Sequence, residues 1–391
     1  MTSCTEEAGP QGLASALVAA GALTTDWLPA FGAVLRELFV PDRIWPGIAE
    51  GTRQSALVNR ADAPDAWRSA VYSDIPLTTQ WDDGRHRGTG LGATPTSSSS
   101  MPRMVFSMLA DLDVAGVRGR GRVLEVGTGT GWNAGLLAYR LGDENVVSVE
   151  YDATVALAAV ENLRRAGLRP TVVVGDGRLG HTGGAPYSRV VATCSVHDVP
   201  YSWVRQTEEG GIVVAPWGTG YGGEAIVRLV VEGGVARGRF TRSSAFMRLR
   251  QQRPPRPPLA AYLGGAVWPA DGVRSATVLS PAATGDWLAQ FVIGLRVPGV
   301  FWRAERYEDG AYTLWLYSDD TLSWATADHV PGEVAEFEVV QSGPRELWSE
   351  VEAAFRWWER RGRPGFDRFG LTVGPDGQRA WLDDPGDSWP V

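Results

Sequence analysis

The sequence has 391 residues, of which 44% are hydrophobic and 21% are charged, so it is too long and too apolar for a disordered tail. All 37 basic residues are arginine, which excludes any mechanism that needs a Schiff-base or P-loop lysine. A formal net charge of -8 argues against a groove that follows nucleic-acid phosphates. We therefore expect a peptide or small-molecule partner and no nucleic acid.

Cysteine content and hydropathy indicate the cellular setting. Cys4 and Cys194 are the only cysteines, so they make no disulfide framework, and with four histidines they show no metal-ligand spacing. No run of about 18 apolar residues predicts a membrane span. The apolar run from Leu13 to Leu23 lacks the basic flank of a secretory signal. We expect a cytoplasmic protein with no metal and no membrane partner.

The first hundred residues divide into a helical and an irregular part. Residues 11–40 have apolar positions at helical spacing and predict two helices. Between Asp42 and Ser100 the periodicity fades, and the segment ends in the polar run Thr94–Ser100, which predicts a long loop. We define residues 1–100 as N-terminal helices followed by an active-site loop.

Strands and helices alternate in residues 101–252. The pattern predicts helices at Pro102–Leu112, up to Leu141 and at Ala153–Ala166, and strands at Arg122–Val126, Val146–Glu150, Thr171–Val174, Arg189–Ala192 and Ile212–Ala215. The first arm of a terminal hairpin follows at Ala225–Val231. This order is typical of an α/β fold with a doubly wound, mostly parallel sheet.

A proline-rich linker at residues 253–258 precedes a region of different composition. Residues 259–391 are acidic and contain ten of the 17 tryptophans. The pattern predicts an α+β domain with strands at Ala311–Tyr317, Phe369–Val373 and Ala380–Leu382 and a helix at Glu346–Arg361. A Trp-rich module of this kind suits peptide recognition.

The most informative motif is Glu125-Val126-Gly127-Thr128-Gly129-Thr130-Gly131, between a strand and a helix. Its third glycine comes one residue earlier than in the dinucleotide fingerprint, which argues against a nicotinamide cofactor. A carboxylate at Glu125 suits a cationic amine, Glu150 suits ribose hydroxyls and Asp176 suits an adenine amino group. Together these groups predict S-adenosylmethionine, although each acid also has a plain reading as a helix cap.

Several short motifs, taken in order, resemble the protein-L-isoaspartate O-methyltransferase family. They are Arg36-Glu37-Leu38-Phe39-Val40-Pro41, Gly92-Ala93-Thr94, Ser100-Met101-Pro102-Arg103-Met104, the glycine motif, Gly175-Asp176-Gly177, Ala185-Pro186-Tyr187 and residues 210–218. The resemblance implies a Rossmann-like class I fold that binds S-adenosylmethionine, releases S-adenosylhomocysteine and methylates the carboxylate of an aspartyl residue.

The resemblance also assigns site residues. The family's substrate-contacting serine matches Ser100, but extra residues precede it, so Ser98 or Ser99 can take its place. We expect the cofactor at Met101, Pro102, Glu125, Gly127, Thr128, Gly129, Gly131, Glu150, Tyr151, Asp176 and Gly177. We expect the substrate at Arg103, Cys194, Ser195, His197, Arg248 and Gln251.

The ordinary repair enzymes of this family end near the linker, so we interpret residues 259–391 as an extension. The extension is similar to those of a subgroup that acts on graspetides and some lanthipeptides. That likeness implies methylation of one aspartate in a cyclised, ribosomally made precursor peptide, followed by aspartimide formation. A general isoaspartyl repair enzyme and a non-catalytic binding module remain as alternatives, and the oligomeric state stays open.

Overall fold

The computed structural model describes residues 9–47, 56–116, 121–253, 256–264, 272–332 and 335–391. The N-terminal part consists of α1 (Pro10–Ala19), α2 (Leu28–Ala33), β1 (Arg43–Pro46), β2 (Val58–Asn59), α3 (Pro64–Val71), β3 (Leu77–Trp81) and β4 (Pro95–Ser99). Its four strands form a sheet in the order β2-β1-β3-β4. The two predicted N-terminal helices are confirmed, but the prediction of a long irregular loop up to Ser100 is wrong. Backbone pairing with β3 makes the serine-rich run a strand.

The central part alternates helices and strands. It consists of α4 (Pro102–Leu112), β5 (Val123–Val126), α5 (Trp132–Leu141), β6 (Val146–Glu150), α6 (Ala153–Arg165), β7 (Thr171–Val174), β8 (Tyr187–Ala192), α7 (Tyr201–Gln206), β9 (Thr207–Trp217), β10 (Ala225–Glu232) and β11 (Val235–Ser243). The inner strands β5 and β8 are buried along their whole length, as expected for a parallel sheet covered on both faces. A local signal determines where α6 begins, because the Asp152 side chain caps this helix by accepting from the backbone N–H groups of Thr154 and Val155.

The C-terminal part consists of α8 (Leu259–Tyr262), β12 (Val273–Thr277), α9 (Trp287–Arg296), β13 (Val300–Arg306), β14 (Tyr312–Ser318), β15 (Trp324–His329), β16 (Phe337–Ser342), α10 (Leu347–Arg360), β17 (Phe369–Gly374), β18 (Gly377–Leu382) and β19 (Ser388–Pro390). Five of these strands form an antiparallel sheet in the order β12-β16-β15-β14-β13. Helices α9 and α10 contact each other.

The last three strands join the central sheet. Its order is β19-β18-β17-β11-β10-β9-β8-β5-β6-β7, with β17 antiparallel to β11. Strands β7, β6, β5, β8 and β9 are parallel, and the others are antiparallel. The domain boundary predicted at residue 259 therefore does not separate two units, because residues 369–390 complete the sheet of the preceding part.

One apolar core runs across that predicted boundary. Phe240 of β11 lies 4.8 Å from Phe291 of α9, and Phe291 lies 5.8 Å from Phe369 of β17, measured between ring centroids. All three side chains are buried. The predicted linker lies partly outside the described residues, since Pro254 and Pro255 are not described. None of the described helices combines the length and apolar composition needed to cross a membrane.

Candidate active site

A cavity of about 1060 Å³ lies where the parallel strands β5, β6, β7 and β8 end. Four groups of residues contribute to its wall: the glycine loop (Gly127–Gly131, through its first four residues), the serine segment (Ser97–Ser100), residues 243–250, and residues of the C-terminal part. Carboxyl ends of strands in open α/β sheets are the usual place for ligands. The topology therefore brings residues from distant parts of the chain to one opening.

The glycine loop adopts a backbone that favours glycine. Gly127, Gly129 and Gly131 have φ angles of +95°, +54° and +90°. The backbone N–H of Gly129 donates 2.9 Å to Glu150 Oε2, while Glu150 Oε1 accepts from the N–H of Asp152 at 3.0 Å. Glu150 lines the cavity, and burial raises the pKa of its carboxyl. Gly131 instead packs against Ala159 of α6 and lies off the cavity wall.

Glu125 lies in the core rather than on the cavity wall. Its side chain is fully buried and does not line the cavity. One carboxylate oxygen accepts 2.7 Å from Asn133 Nδ2, and the other accepts from Ser148 Oγ. Burial raises the pKa of Glu125 to about 7. Two polar neighbours thus hold this carboxylate in the core behind the cavity wall, and a contact between Glu125 and the ligand stays a prediction.

Of the pair Asp176 and Gly177, only the glycine lines the cavity. A Cβ on Gly177 would lie 2.6 Å from Val126, so no larger residue fits there without movement. The Asp176 carboxylate accepts from the Arg178 guanidinium at 2.7 Å, which lowers its pKa. A contact between Asp176 and adenine stays a prediction.

The serine segment lies directly on the glycine loop. A Cβ on Gly129 would stand 3.4 Å from the Ser98 carbonyl oxygen, so the two segments approach closely enough that a side chain at Gly129 would touch the serine segment. Ser98, Ser99 and Ser100 all line the cavity, as does Met101. Ser99 is buried and its Oγ accepts from Arg36 Nε at 3.2 Å. Pro102 is buried at the start of α4, off the wall.

A buried carboxylate at Glu224 organises the opposite wall. It accepts from Ser195 Oγ at 2.6 Å and from the N–H of Phe246 at 3.0 Å, and lies 3.5 Å from Arg248 Nη2. Arg248 and Cys194 line the cavity, whereas Ser195 is fully buried behind them. Burial raises the pKa of the Cys194 thiol to about 12, so this side chain stays protonated.

Three predicted substrate residues lie off the cavity wall. Arg103 pairs with Asp74 at 2.8 Å through Nε. The His197 ring stacks on Trp217, with 6.2 Å between centroids. Both amide atoms of Gln251 are buried without a hydrogen-bond partner among the described residues. A substrate contact through any of these three side chains stays a prediction.

Sequence reasoning missed two groups at the cavity. Asp286, Trp287, Leu288 and Phe366 come from the C-terminal part and line the wall. A bridge closes another side: Asp83 Oδ1 lies 3.1 Å from Arg250 Nε, and Arg250 Nη2 lies 3.4 Å from Asp152 Oδ2. No local sequence pattern predicts that the C-terminal residues or the Asp83 bridge lie at the cavity, because both depend on contacts between distant parts of the chain.

Comparison with known proteins adds to this geometry. The sequence model of protein-L-isoaspartate(D-aspartate) O-methyltransferase matches residues 55–248. The protein-L-isoaspartate O-methyltransferase of Thermococcus sibiricus is 35% identical over 180 residues, which cover 45% of this chain and 79% of that protein. The chain belongs to the protein-L-isoaspartate O-methyltransferase family. The family predicted from the sequence motifs is thus confirmed.

Other members of the protein-L-isoaspartate O-methyltransferase family match over a smaller share of their length. The Thermotoga maritima protein is 33% identical over 185 residues, covering 47% of this chain and 53% of that protein. This chain spans about half to two thirds of the length of the first curated relatives it matches.

The fold likeness extends further than the sequence likeness. A solved structure titled protein-L-isoaspartate O-methyltransferase matches with a TM-score of 0.52 and 21% identity, covering 96% of this chain and 100% of that chain. The predicted α/β class I methyltransferase fold is confirmed. Because this neighbour matches nearly the whole chain, the expectation that ordinary family members end near the linker does not hold for it.

Proposed function

We propose that the protein is a cytoplasmic O-methyltransferase that uses S-adenosylmethionine to esterify an aspartate side chain in a cyclised, ribosomally made precursor peptide. The ester then leads to aspartimide. The observation that carries the proposal is that the serine segment and the glycine loop line one cavity and approach closely, with 3.4 Å between the Cβ position of Gly129 and the Ser98 oxygen. That approach brings a carboxylate-orienting segment against a nucleotide-binding backbone.

The residues at the cavity fit S-adenosylmethionine. Gly127 and Gly129 bring bare backbone to the wall, and Gly177 does the same at a point where a Cβ would collide with Val126. The Glu150 carboxylate at the end of β6 is suited to accept from ribose hydroxyls. A volume of about 1060 Å³ accommodates a cofactor-sized ligand with part of a substrate. Bound S-adenosylmethionine supplies an electrophilic methyl group on a sulfonium.

The proposed reaction requires no proton transfer by the protein's side chains. An aspartate carboxylate is already an anion at neutral pH, so no general base is required. Ser100 and its neighbours orient one carboxylate oxygen in line with the methyl group, which removes the entropy of approach beforehand. Cys194 lines the same cavity, but burial raises its pKa to about 12, so the thiol is not a competing nucleophile.

Side chains from the C-terminal part support a restricted peptide substrate. Trp287 is 37% exposed, lines the cavity and donates 3.0 Å from Nε1 to the Glu224 carbonyl. Leu288 and Phe366 add apolar surface beside it. Exposed aromatic anchors at a wall are typical of peptide recognition. The C-terminal part by itself does not distinguish a restricted substrate, because a solved family structure matches this chain over nearly its whole length, whereas these side chains do.

Two alternatives have their own support. The curated relatives are named protein-L-isoaspartate O-methyltransferases, and repair of isoaspartyl residues in damaged proteins fits the same cavity. A binding module without catalysis would need the glycine loop and Glu150 but no serine segment at the wall. The serine segment therefore disfavours the binding module, and substrate choice separates the other two.

The deciding experiment incubates the full-length protein with S-adenosylmethionine and either a generic isoaspartyl peptide or the modified precursor encoded nearby. Intact-mass spectrometry follows methyl gain and later methanol loss. Methylation of the precursor alone supports the proposal, and methylation of the isoaspartyl peptide contradicts it in favour of repair. S-adenosylhomocysteine binding with neither peptide methylated points to a binding module.

Ser100→Ala is the matched variant for the same assay. We expect it to keep S-adenosylhomocysteine affinity, measured by calorimetry, and to slow methyl transfer about 10- to 100-fold, since misplacement of the reacting oxygen is costly. Asp176→Ala is expected to lose cofactor binding. Full turnover by both variants would contradict the site assignment.

A further inference from the structure

Arg36 is a buried arginine that the proposed function leaves without a role. Its side chain is 2% exposed, and it makes six hydrogen bonds, all to carbonyl or hydroxyl oxygens and none to a carboxylate. Its acceptors are the carbonyls of Val71, Ser73, Ile75, Ser99 and Ser100 and the hydroxyl of Ser99.

A guanidinium in this position is costly to bury. Removal from water lowers the pKa of Arg36 to about 9. Burying a charge is tolerated only where hydrogen bonds replace those to water, and the five N–H groups of arginine point in a fixed fork. Lysine has no such fork, so the geometry selects arginine specifically.

Two of the three hydrogen bonds from Arg36 Nη2 go to the carbonyls on either side of the Ser100 Cα atom, and the third goes to the Ile75 carbonyl. Arg36 Nη2 donates 3.2 Å to the Ser99 carbonyl and 2.9 Å to the Ser100 carbonyl. Those two carbonyls belong to the peptide planes on either side of the Ser100 Cα atom. Fixing both planes fixes φ and ψ of Ser100, and with them the direction in which its side chain leaves the backbone.

Arg36 also contacts the cofactor side of the cavity. Its guanidinium lies 5.4 Å from the ring centroid of Trp132, which begins α5 directly after the glycine loop and lines the cavity. One side chain thus joins the serine segment to the base of the glycine loop. In the proposed function, these two segments hold the substrate carboxylate and the cofactor respectively.

We propose that Arg36 is a positioning residue that sets the orientation of Ser100 relative to the glycine loop. The inference rests on the proposed function, because it assumes that Ser100 orients the carboxylate. Arg36 does not line the cavity and acts through the backbone of the serine segment.

Arg36→Lys tests this role, and Arg189→Lys is the matched control. Arg189 is also buried, at 6% exposed, and its guanidinium donates to the carbonyls of Leu112, Asp113 and Ser188, away from the cavity. We expect Arg36→Lys to lower kcat about 10- to 100-fold with S-adenosylhomocysteine affinity within about threefold of wild type. Arg189→Lys should change kcat by less than about threefold. Equal losses in both variants would mean a purely structural role and overturn the inference.

A double-mutant cycle with Ser100→Ala separates positioning from general loosening. If Arg36 acts through Ser100, Arg36→Lys should slow the Ser100→Ala enzyme by no more than about threefold, because the oriented hydroxyl is already gone. If the loss of kcat in the double variant equals the product of the two single losses, the inference is overturned. Should Arg36→Lys fail to fold, Arg36→Gln replaces it, because the neutral amide avoids burying a charge but cannot supply the bonds to both the Ser99 and Ser100 carbonyls; unchanged kcat in that variant would equally overturn the inference.

A readout without turnover keeps this inference distinct from the proposed function. Crystal structures of wild type and Arg36→Lys, each with S-adenosylhomocysteine, are expected to differ in the position of Ser100 by more than about 0.5 Å, the tolerance of a productive site. An unmoved Ser100 overturns the inference even if wild type methylates neither peptide. If the wild type methylates neither peptide but Ser100 is displaced in Arg36→Lys, the result contradicts the proposed function and leaves the inference about Arg36 standing.

Discussion

The side-chain amide of Gln378, on β18, donates a hydrogen bond of 2.7 Å to the backbone carbonyl of His197. Its oxygen accepts from the N–H of Val199 at 3.2 Å. These bonds join the hairpin of β17 and β18 to the loop that follows β8. The same loop contains Cys194, which lines the cavity. The hairpin is therefore part of the framework that holds the site.

Removal of residues 369–391 should destabilise the whole protein. Phe369, Leu371 and Val373 are almost fully buried, and their strand pairs with β11. Loss of several buried side chains at about 2 to 5 kcal/mol each exceeds the stability of most domains. We expect insoluble protein, or a thermal midpoint lowered by more than about 10 °C in circular dichroism. Deletion of Pro390–Val391 alone is the control; a stable, soluble protein lacking residues 369–391 would contradict the prediction.

Trp287→Ala should weaken binding of the large substrate selectively. The ring lines the cavity from the C-terminal part, so a modified precursor that reaches this wall loses an aromatic anchor. We expect KM for the precursor to rise about tenfold or more, with a smaller change for a short isoaspartyl peptide. Steady-state methylation of both peptides provides the comparison.

An exposed aromatic residue elsewhere provides the control for Trp287→Ala. Tyr307 is 49% exposed in the same part of the chain and does not line the cavity. Tyr307→Ala should leave KM for both peptides unchanged. Equal KM changes for the two peptides in Trp287→Ala would show that Trp287 does not select the precursor.

Glu125 should make stability depend on pH. Burial raises its pKa from 4.5 to about 7. A carboxyl whose pKa is raised by folding stabilises the fold below its unfolded pKa, and this contribution is lost as pH rises through the folded value. Between pH 5 and 8 the free energy of unfolding should therefore fall by up to about 3 kcal/mol. Glu125→Gln should remove it, so urea unfolding should show a flatter pH profile in the variant; parallel profiles would contradict the assigned burial.

Local signals made part of the fold predictable. The helix Pro102–Leu112 and the strand Val146–Glu150 were predicted with the bounds that the structure has. Proline at the first helical position and a continuous apolar strand act within a few residues, so no distant contact is needed to recognise them. The same holds for the glycine loop, whose positive φ angles suit glycine.

Features that depend on distant contacts were not predictable. The serine-rich strand β4 has a polar, loop-like sequence, and its pairing with β3, from Pro95 opposite Trp81 to Ser99 opposite Leu77, makes it a strand. Arg36 belongs to a recognised motif, but its acceptors lie up to 64 residues away. Glu125 was correctly located at a strand end, yet Asn133 and Ser148 turn its carboxylate into the core.

The bridge from Asp83 to the cavity rim should slow ligand release. Asp83 Oδ1 lies 3.1 Å from both Arg250 Nε and Arg253 Nη1, so it ties the turn between β3 and β4 to the segment that lines the cavity. The Asp83 side chain is 30% exposed, which limits the strength of these pairs. Asp83→Asn keeps a residue that tolerates the observed φ of +55°. We expect S-adenosylhomocysteine to dissociate about 3- to 10-fold faster in stopped-flow measurements.

Salt separates the electrostatic contribution of Asp83 from a general change in shape. High ionic strength screens partly exposed ion pairs, so wild-type dissociation should accelerate with salt while Asp83→Asn responds less. Glu338→Gln breaks the exposed pair between Arg274 and Glu338 in the C-terminal sheet and should leave dissociation unchanged. If Asp83→Asn releases the ligand at the wild-type rate at low salt, the bridge does not slow ligand release. The turn between β3 and β4 would then be held by its other hydrogen bonds, among them those from the Asp82 N–H to the Thr94 carbonyl and from the Asp83 N–H to the Thr96 hydroxyl.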